Sequence, residues 1–418
     1  MSRFLFVVLP MAGHVNPPAA VARVLAERGH EVAWCGSRAR LSRLLGQRAV
    51  IYPTGMQLFR GQADTGMAAV KSLWEGFVIP FARFTMRPVE DAVRDWRPDV
   101  VVADQHALAG PLAARRHGLP WATLCTSSME LALPITSLPI TGLPFPSLSI
   151  PSLPKVDGWI RDQLAALAAE AGVTAEAGVT ADAGLADGWP GDLRFSPHLV
   201  IVFATAALLG GADFPSHFAL TGPALAARPD EPSFRWDRLD PGRPHVLVTV
   251  GTMSSNVEED FYGRMMRALE PLGHRVQPVL VVPPEVLPGL PGHVIAQARL
   301  PMLDLLPHLD AVVCHGGMNT VCEALSHALP LVVAPLTRDQ PANAANVARA
   351  GAGIRLNFHR ASPERLRAAV LDVLGDPGYR AAAGRIRDSF TAAGGAPAAA
   401  AKLESLAMTG RNTTVILN

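Results

Sequence analysis

Short apolar runs separated by stretches of helical periodicity recur along the whole chain. In the first half they are FLFVVLP (4–10), EVAWC (31–35), VIYP (50–53), VVVA (100–103), WATLC (121–125) and LVIVF (199–203), with a helical pattern over 17–28. The second half has HVLVTV (245–250), PVLVV (278–282), AVVC (311–314) and LVVAP (331–335), with helices near 257–270, from about 318 and from about 340. Strands that are apolar at every position are buried on both faces, and their alternation with helices indicates parallel sheets covered on both sides. Two doubly wound, Rossmann-like α/β domains are predicted, over 1–222 and 245–393. Residues 223–244 combine proline and charge without periodicity, which marks a linker. Residues 394–418 form a C-terminal helix that can return to the first domain, followed over 409–418 by a loosely attached tail. The hexapeptide EAGVTA at 170–175 recurs at 176–181, a duplication without functional weight.

Ligands of open α/β sheets bind outside the carboxyl ends of the strands. Two such domains facing each other would place their ligands in the cleft between them. The richest strand end is AVVCHGGMNTVCEAL (311–325). Gly316 and Gly317 let backbone amides approach a ligand, and the following helix offers unpaired N–H groups and a positive dipole end, so a phosphate or pyrophosphate belongs there. His315 can add a hydrogen bond or a charge, Met318, Asn319 and Thr320 lie on the first turn, and Glu323 has an acceptor suited to vicinal hydroxyls of a ribose. Asp339 and Gln340, after LVVAP, can accept from and donate to the hydroxyls of a sugar, although an aspartate there can equally cap its helix. Gly251 and Thr252 give a third polar strand end on this edge. In the first half, Gly13 and His14 occupy the loop after the first strand, with Pro17 and Pro18 in the opening turn of the next helix. Imidazole titrates near neutrality and can serve as a general base. Asp104, ending VVVAD, can orient that imidazole, whereas His106 lacks an obvious orienting partner and ranks below His14.

Composition narrows the picture. Only 17% of the 418 residues are charged and 49% are hydrophobic, against roughly 25% charged in an average soluble domain. A formal net charge of +1 offers no polycationic surface for nucleic acid. Cys35, Cys125, Cys314 and Cys322 form no CxxC pair and read as buried thiols in a reducing, cytoplasmic setting. The N-terminus imitates a signal peptide, but Pro10 interrupts it and Gly-His follows, so a first buried strand is the better reading. Leu131–Pro154 is uncharged and long enough to span a bilayer, yet Pro134, Pro139, Pro144, Pro146, Pro151 and Pro154 forbid a helix of that length, which makes it a loop. There is no GxGxxG, no GxxxxGK[ST], no Asp-x-Asp, and no His or Cys pair with metal-ligand spacing. Phosphates would be held by helix dipole and hydrogen bonds, without a metal or other cofactor.

GHVNP (13–17), VVVAD ending at 104, HGGMNTVCEAL (315–325), PLTRDQPANA (335–344) and the GAG at 351–353 together resemble the family 1 glycosyltransferases of GT-B fold, most of all the actinobacterial enzymes that glycosylate macrolides, polyketides and similar aglycones. The resemblance implies an inverting, metal-independent reaction, with an acceptor-binding first domain and a nucleotide-sugar-binding second domain. His14 would deprotonate the acceptor hydroxyl with support from Asp104. Thr252, His315, Gly316, Gly317, Met318, Asn319 and Thr320 would hold the pyrophosphate, Glu323 the ribose, Asp339 and Gln340 the sugar, with Gly13 beside the donor. The family often carries Trp-x-Pro-Gln before the HGG strand. Here the stretch is Arg299-Leu300-Pro301-Met302, so Arg299 would stack on the base and the backbone near Leu300 would read its edge. The donor is expected to be a dTDP- or UDP-sugar. Leu133, Ile135, Leu138, Ile140, Leu143 and Phe145 of the uncharged loop are expected to line an apolar acceptor pocket, with Trp74, Phe77 and Phe81 as further candidates. Two other readings are a non-catalytic nucleotide-sugar-binding partner in a biosynthetic complex and a nucleotide-sugar epimerase. No basic amphipathic stretch supports stable membrane association, and the reading leaves room for a homodimer.

Overall fold

Along Arg3–Val7 (β1) successive side chains enter opposite cores, as the period of two requires. Phe4 and Phe6 join Val15, Val21 and Leu25 of the helix Ala12–Glu27 (α1) on one face of the sheet. Leu5 and Val7 join Val89 and Val93 of the helix Ile79–Trp96 on the other. The chain is described from a computed structural model, which covers residues 1–55, 66–128, 153–173, 193–211, 213–251 and 256–416.

The first sheet adds Glu31–Gly36 (β2), Val50–Pro53 (β3), Val100–Asp104 (β4), Trp121–Cys125 (β5), Leu199–Val202 (β6) and Phe218–Leu220 (β7). The order is β3-β2-β1-β4-β5-β6-β7, with every pairing parallel. The second sheet comprises His245–Thr249 (β8), Gln277–Val281 (β9), Ile295–Gln297 (β10), Ala311–Cys314 (β11), Leu331–Val333 (β12) and Gly353–Arg355 (β13), ordered β10-β9-β8-β11-β12-β13 and again parallel throughout. Each predicted run is a strand. The three additional strands, β7, β10 and β13, have three residues apiece and lie at sheet edges. β12 is equally short but lies within the longer apolar run LVVAP, whereas these three edge strands have no such run and only the neighbouring strand defines them.

Chain contacts divide the molecule into two compact units, Met1–Thr205 with Ala212–Asp230 and Ala393–Asn418, and Ala206–Gly211 with Glu231–Ala392. The charged segment 223–244 is packed rather than free. Arg23 donates to the Ala227 carbonyl at 2.6 Å in the first unit, and Arg238 donates to the Val294 carbonyl at 3.0 Å in the second. The final helix, Gly395–Ile416 (α4 below), returns to the first sheet, where Ala399, Ala400 and Leu403 share the core of Phe4 and α1. Full burial of a leucine side chain contributes about 1.5–3 kcal/mol, so Leu403 anchors this return. The tail expected over 409–418 is instead helical as far as Ile416. An alanine-rich start nucleates the helix, and propagation then adds one bond per residue fixed. Among the described residues no helix is long and apolar enough to cross a membrane.

Candidate active site

In both sheets the strand order reverses once, between β1 and β4 and between β8 and β11. Such a switch point opens a crevice at the carboxyl ends of the strands. The candidate residues occupy those two places.

In the first unit, β1 leads into α1, β4 ends on Asp104, and β5 is followed by Thr126. These three adjacent strand ends build one hydrogen-bonded group. His14 Nδ1 lies 2.8 Å from Asp104 Oδ2, and Thr126 Oγ1 lies 2.5 Å from the same oxygen and 2.9 Å from Nδ1. The other oxygen, Asp104 Oδ1, accepts from the His106 backbone N–H at 3.0 Å. Burial pushes the fully enclosed Asp104 carboxyl up. The positive charge available to His14 and His106, together with the hydrogen bonds from His14 and Thr126, outweighs it and holds the group below the ordinary carboxylate value. Asp104 is therefore an acceptor at neutral pH, and both Thr126 Oγ1 and His14 Nδ1 must donate to it. That leaves His14 Nε2 with a lone pair, as a general base requires.

His14 was expected in a loop before a helix starting at residue 17, but α1 starts at Ala12 and places His14 in its first turn, with its N–H on the Met11 carbonyl at 2.9 Å. Pro17 and Pro18 thus stand inside the helix. Proline at those positions fails to donate only to the carbonyls of Gly13 and His14, in the first turn, so the helix tolerates both. Gly13 belongs to the same turn. His106 is buried between His14 and Trp74, its ring centroid 6.0 Å from one and 6.3 Å from the other. His14, Asp104 and His106 could offer three metal-ligand atoms within 4.8 Å of one another, a grouping that sequence spacing conceals because residues 14 and 104 are far apart in the chain. His14 Nδ1 and Asp104 Oδ2 are joined by a hydrogen bond, which is the arrangement of an acid–base pair.

Trp74, Phe77 and Phe81 are interior, 0%, 4% and 2% exposed, and pack with Leu9, Leu108, Leu112, Ile160 and Leu164. Trp74–Val78 is a π-helical turn, a feature frequent at functional sites, and it sets the Trp74 edge against His106. Leu133, Ile135, Leu138, Ile140, Leu143 and Phe145 lie outside the described residues, as does Thr252.

Gln105 follows Asp104 and has 1% of its surface exposed, and among the described residues neither its side-chain oxygen nor its nitrogen has a hydrogen-bond partner. An unsatisfied buried polar group costs about 1–3 kcal/mol. Gln105→Met, similar in shape and without those groups, is expected to raise the thermal unfolding midpoint, by about 2–4 °C for each kcal/mol recovered. Differential scanning calorimetry checks this, and a lowered midpoint would contradict it.

In the second unit, β11 runs into His315-Gly316-Gly317 and the helix Met318–Ser326 (α2). Gly317 is its N-cap, without a side-chain cap bond, and Met318, Asn319 and Thr320 form the first turn. The His315 imidazole is confined by Gly251 and Gly317. A Cβ on Gly251 would lie 2.9 Å from His315 Cε1, and one on Gly317 would lie 2.7 Å from Nε2. Burial pushes His315 below the ordinary imidazole value, against the opposing pull of Asp339 and the Thr249 carbonyl. The ring is therefore neutral at pH 7 and contributes a hydrogen bond rather than the charge that the sequence also allowed. Among the described residues its buried Nδ1 has no hydrogen-bond partner. Glu323 is buried on α2.

The helix Gln340–Arg349 (α3) follows β12, and Asp339 sits at its N-cap without making a side-chain cap bond. Its carboxylate instead accepts from Asn343 Nδ2 at 3.1 Å, and the same nitrogen donates to the Gly316 carbonyl at 2.9 Å. Asn343 thereby ties the two loops together. Gln340 Oε1 accepts from the N–H groups of Leu336 and Thr337 at 2.9 and 3.1 Å, which leaves its amide hydrogens for a ligand. Arg299 is exposed at the end of β10 and Leu300 is buried beside it. The sequence reading passed over Thr126 and Asn343. The signal for Thr126 was a hydroxyl at the end of the strand next to Asp104, and for Asn343 the one-turn spacing from Asp339 within the same motif.

Two parallel α/β units, one with a histidine paired to a buried aspartate and the other with a glycine-lined helix terminus, define a glycosyltransferase of GT-B fold. Residues 281–406 match the family described as Erythromycin biosynthesis protein CIII-like, C-terminal domain. The chain is 30% identical over 410 residues to 4'-demethylrebeccamycin synthase of Lentzea aerocolonigenes, covering 94% of this chain and 96% of that protein. It is 30% identical over 431 residues to demethyllactenocin mycarosyltransferase of Streptomyces fradiae, covering 97% and 87%. The solved glycosyltransferase VinC, in complex with dTDP, superposes with a TM-score of 0.71 at 19% identity, covering 97% of this chain and 100% of VinC. The chain belongs to the family 1 glycosyltransferases, in the group that attaches sugars in actinobacterial natural-product biosynthesis.

Proposed function

We propose that the protein transfers a sugar, with inversion and without a metal, from a dTDP- or UDP-sugar to a hydroxyl of a hydrophobic natural-product acceptor. The observation that carries this reading is the His14–Asp104 pair, whose hydrogen bonds leave Nε2 free to accept a proton. His14 takes the proton of the acceptor hydroxyl, and the oxygen forms a bond to the anomeric carbon on the face opposite the leaving group. The bond from that carbon to the diphosphate oxygen breaks, and the nucleoside diphosphate leaves with the electron pair. Its growing charge meets the first turn of α2 and His315, which supply donors in place of a cation. The absence of Asp-x-Asp supports metal independence, and the dTDP bound to VinC supports a dTDP-sugar donor.

Release of nucleoside diphosphate is expected only when both nucleotide sugar and acceptor are present. Conversion of the nucleotide sugar without an acceptor would favour an epimerase and defeat this reading. In a thermal-shift series with dTDP, UDP and GDP, the cognate nucleotide at a hundred times its Kd is expected to add about 2.7 kcal/mol to the stability of the folded state. Equal shifts with all three would contradict base recognition.

A further inference from the structure

We propose that Thr126 is a positioning residue for the catalytic pair, holding the His14 imidazole in the orientation that directs Nε2 to the acceptor hydroxyl. The inference rests on the reading of His14 as the base and concerns a residue that acts only through it.

Thr126 follows β5, the neighbour of β4, and is 4% exposed, so its hydroxyl is shielded from water. Asp104 is ionised and therefore accepts only. The Thr126 hydroxyl hydrogen is committed to Asp104 Oδ2 at 2.5 Å, and the hydroxyl oxygen that faces Nδ1 at 2.9 Å can only accept there. The Nδ1 hydrogen is thus held between two oxygens, Oδ2 and Oγ1. A single carboxylate oxygen restrains one direction, while a second acceptor at a different angle also restrains rotation of the ring about that bond. The groups around the imidazole support this assignment. His106 engages the remaining Asp104 oxygen through its backbone N–H, and its ring stands 6.0 Å from that of His14, too far to fix Nδ1. Thr126 is the side chain that closes the triangle.

The bland account of Thr126 is a buried hydroxyl that satisfies itself on the nearest carboxylate. Two variants separate the two accounts. Thr126→Val keeps the shape and removes the hydroxyl, whereas Thr126→Ser keeps the hydroxyl and removes the methyl. Thr126→Val is expected to lower kcat about ten- to hundredfold, within the contribution of a positioned base, while KM for donor and acceptor and the Kd for nucleoside diphosphate stay within twofold. Thr126→Ser is expected to retain at least half of kcat. Equal kcat in Thr126→Val and the parent enzyme would overturn the proposal, as would a Thr126→Ser variant as slow as Thr126→Val, which would assign the effect to packing. His14→Ala is assayed alongside. Retained turnover in that variant would remove the base itself, whereas an inactive His14→Ala with an unaffected Thr126→Val removes only the inference made here.

Discussion

His14→Ala is expected to lower kcat about 10²–10⁴-fold at saturating donor and acceptor, the contribution of a positioned general base, and to leave nucleoside diphosphate affinity within twofold. The two expectations separate because His14 belongs to the first unit, whereas His315, Gly317, Asp339 and Gln340 belong to the second. Asp104→Asn tests the same device from the other side. Its amide can still meet a ring nitrogen, but it can present N–H to Nδ1 and stabilise the tautomer with the proton on Nε2, which cannot act as base. A loss of similar order is expected, with nucleotide binding again retained. Steady-state kinetics and isothermal titration calorimetry with the cognate nucleoside diphosphate measure the two quantities. Turnover in His14→Ala within tenfold of the parent would require another base.

Loss of folding would mimic loss of the base. The Asp104 carboxyl is held below its ordinary value in the folded state. It therefore contributes stability that is fully present above the unfolded carboxylate value, about 3.9, and is lost as pH falls through the folded value. Assays near neutrality lie above that window, where Asp104 is ionised in both states. In His14→Ala the charge and the hydrogen bond of His14 no longer hold Asp104 down, so circular dichroism at the assay pH must show a folded variant before its deficit is assigned to the missing imidazole.

The periodicity located every strand long enough to have one, and with them the strand ends on which the chemistry depends. Asp104 was legible because a carboxylate terminated an otherwise apolar run, and His315 because two glycines and a helix followed it. What the sequence obscured were relations across the sheet. Thr126 joins His14 only because β5 lies beside β4, and Asn343 reaches the Gly316 carbonyl only because β12 lies beside β11. Neither adjacency leaves a mark in local composition. The start of α1 was misplaced for another reason. Paired prolines were taken as an opening turn, although the missing donors at 17 and 18 affect only carbonyls of the first turn, which a helix can leave to other partners. Trp74, Phe77 and Phe81 are buried together in one apolar cluster, a packing that helical spacing of aromatics also produces.

Gly317→Ala is expected to weaken binding of the cognate nucleoside diphosphate at least tenfold. The backbone of Gly317 is at φ −60° and ψ 136°, values open to alanine, so no conformational strain arises there. The added Cβ would lie 2.7 Å from His315 Nε2, closer than nonbonded atoms approach, and the imidazole must leave its place between the two glycines. Gly251→Ala presses the same ring from the opposite side, at 2.9 Å from Cε1, and adds a left-handed φ of 87° that costs a non-glycine residue about 1–2 kcal/mol. Its loss of affinity should therefore exceed that of Gly317→Ala. If both act through His315, they stop mattering once the ring is gone. In a His315→Ala background Gly317→Ala should have no further effect, whereas Gly251→Ala should retain only its backbone strain. This non-additivity is the measure of a shared partner. Calorimetric titration of the three single and two paired variants completes the cycle. A full tenfold loss for Gly317→Ala in the absence of His315 would show instead that the added methyl blocks the first turn of α2, and that the diphosphate lies against Gly317 itself.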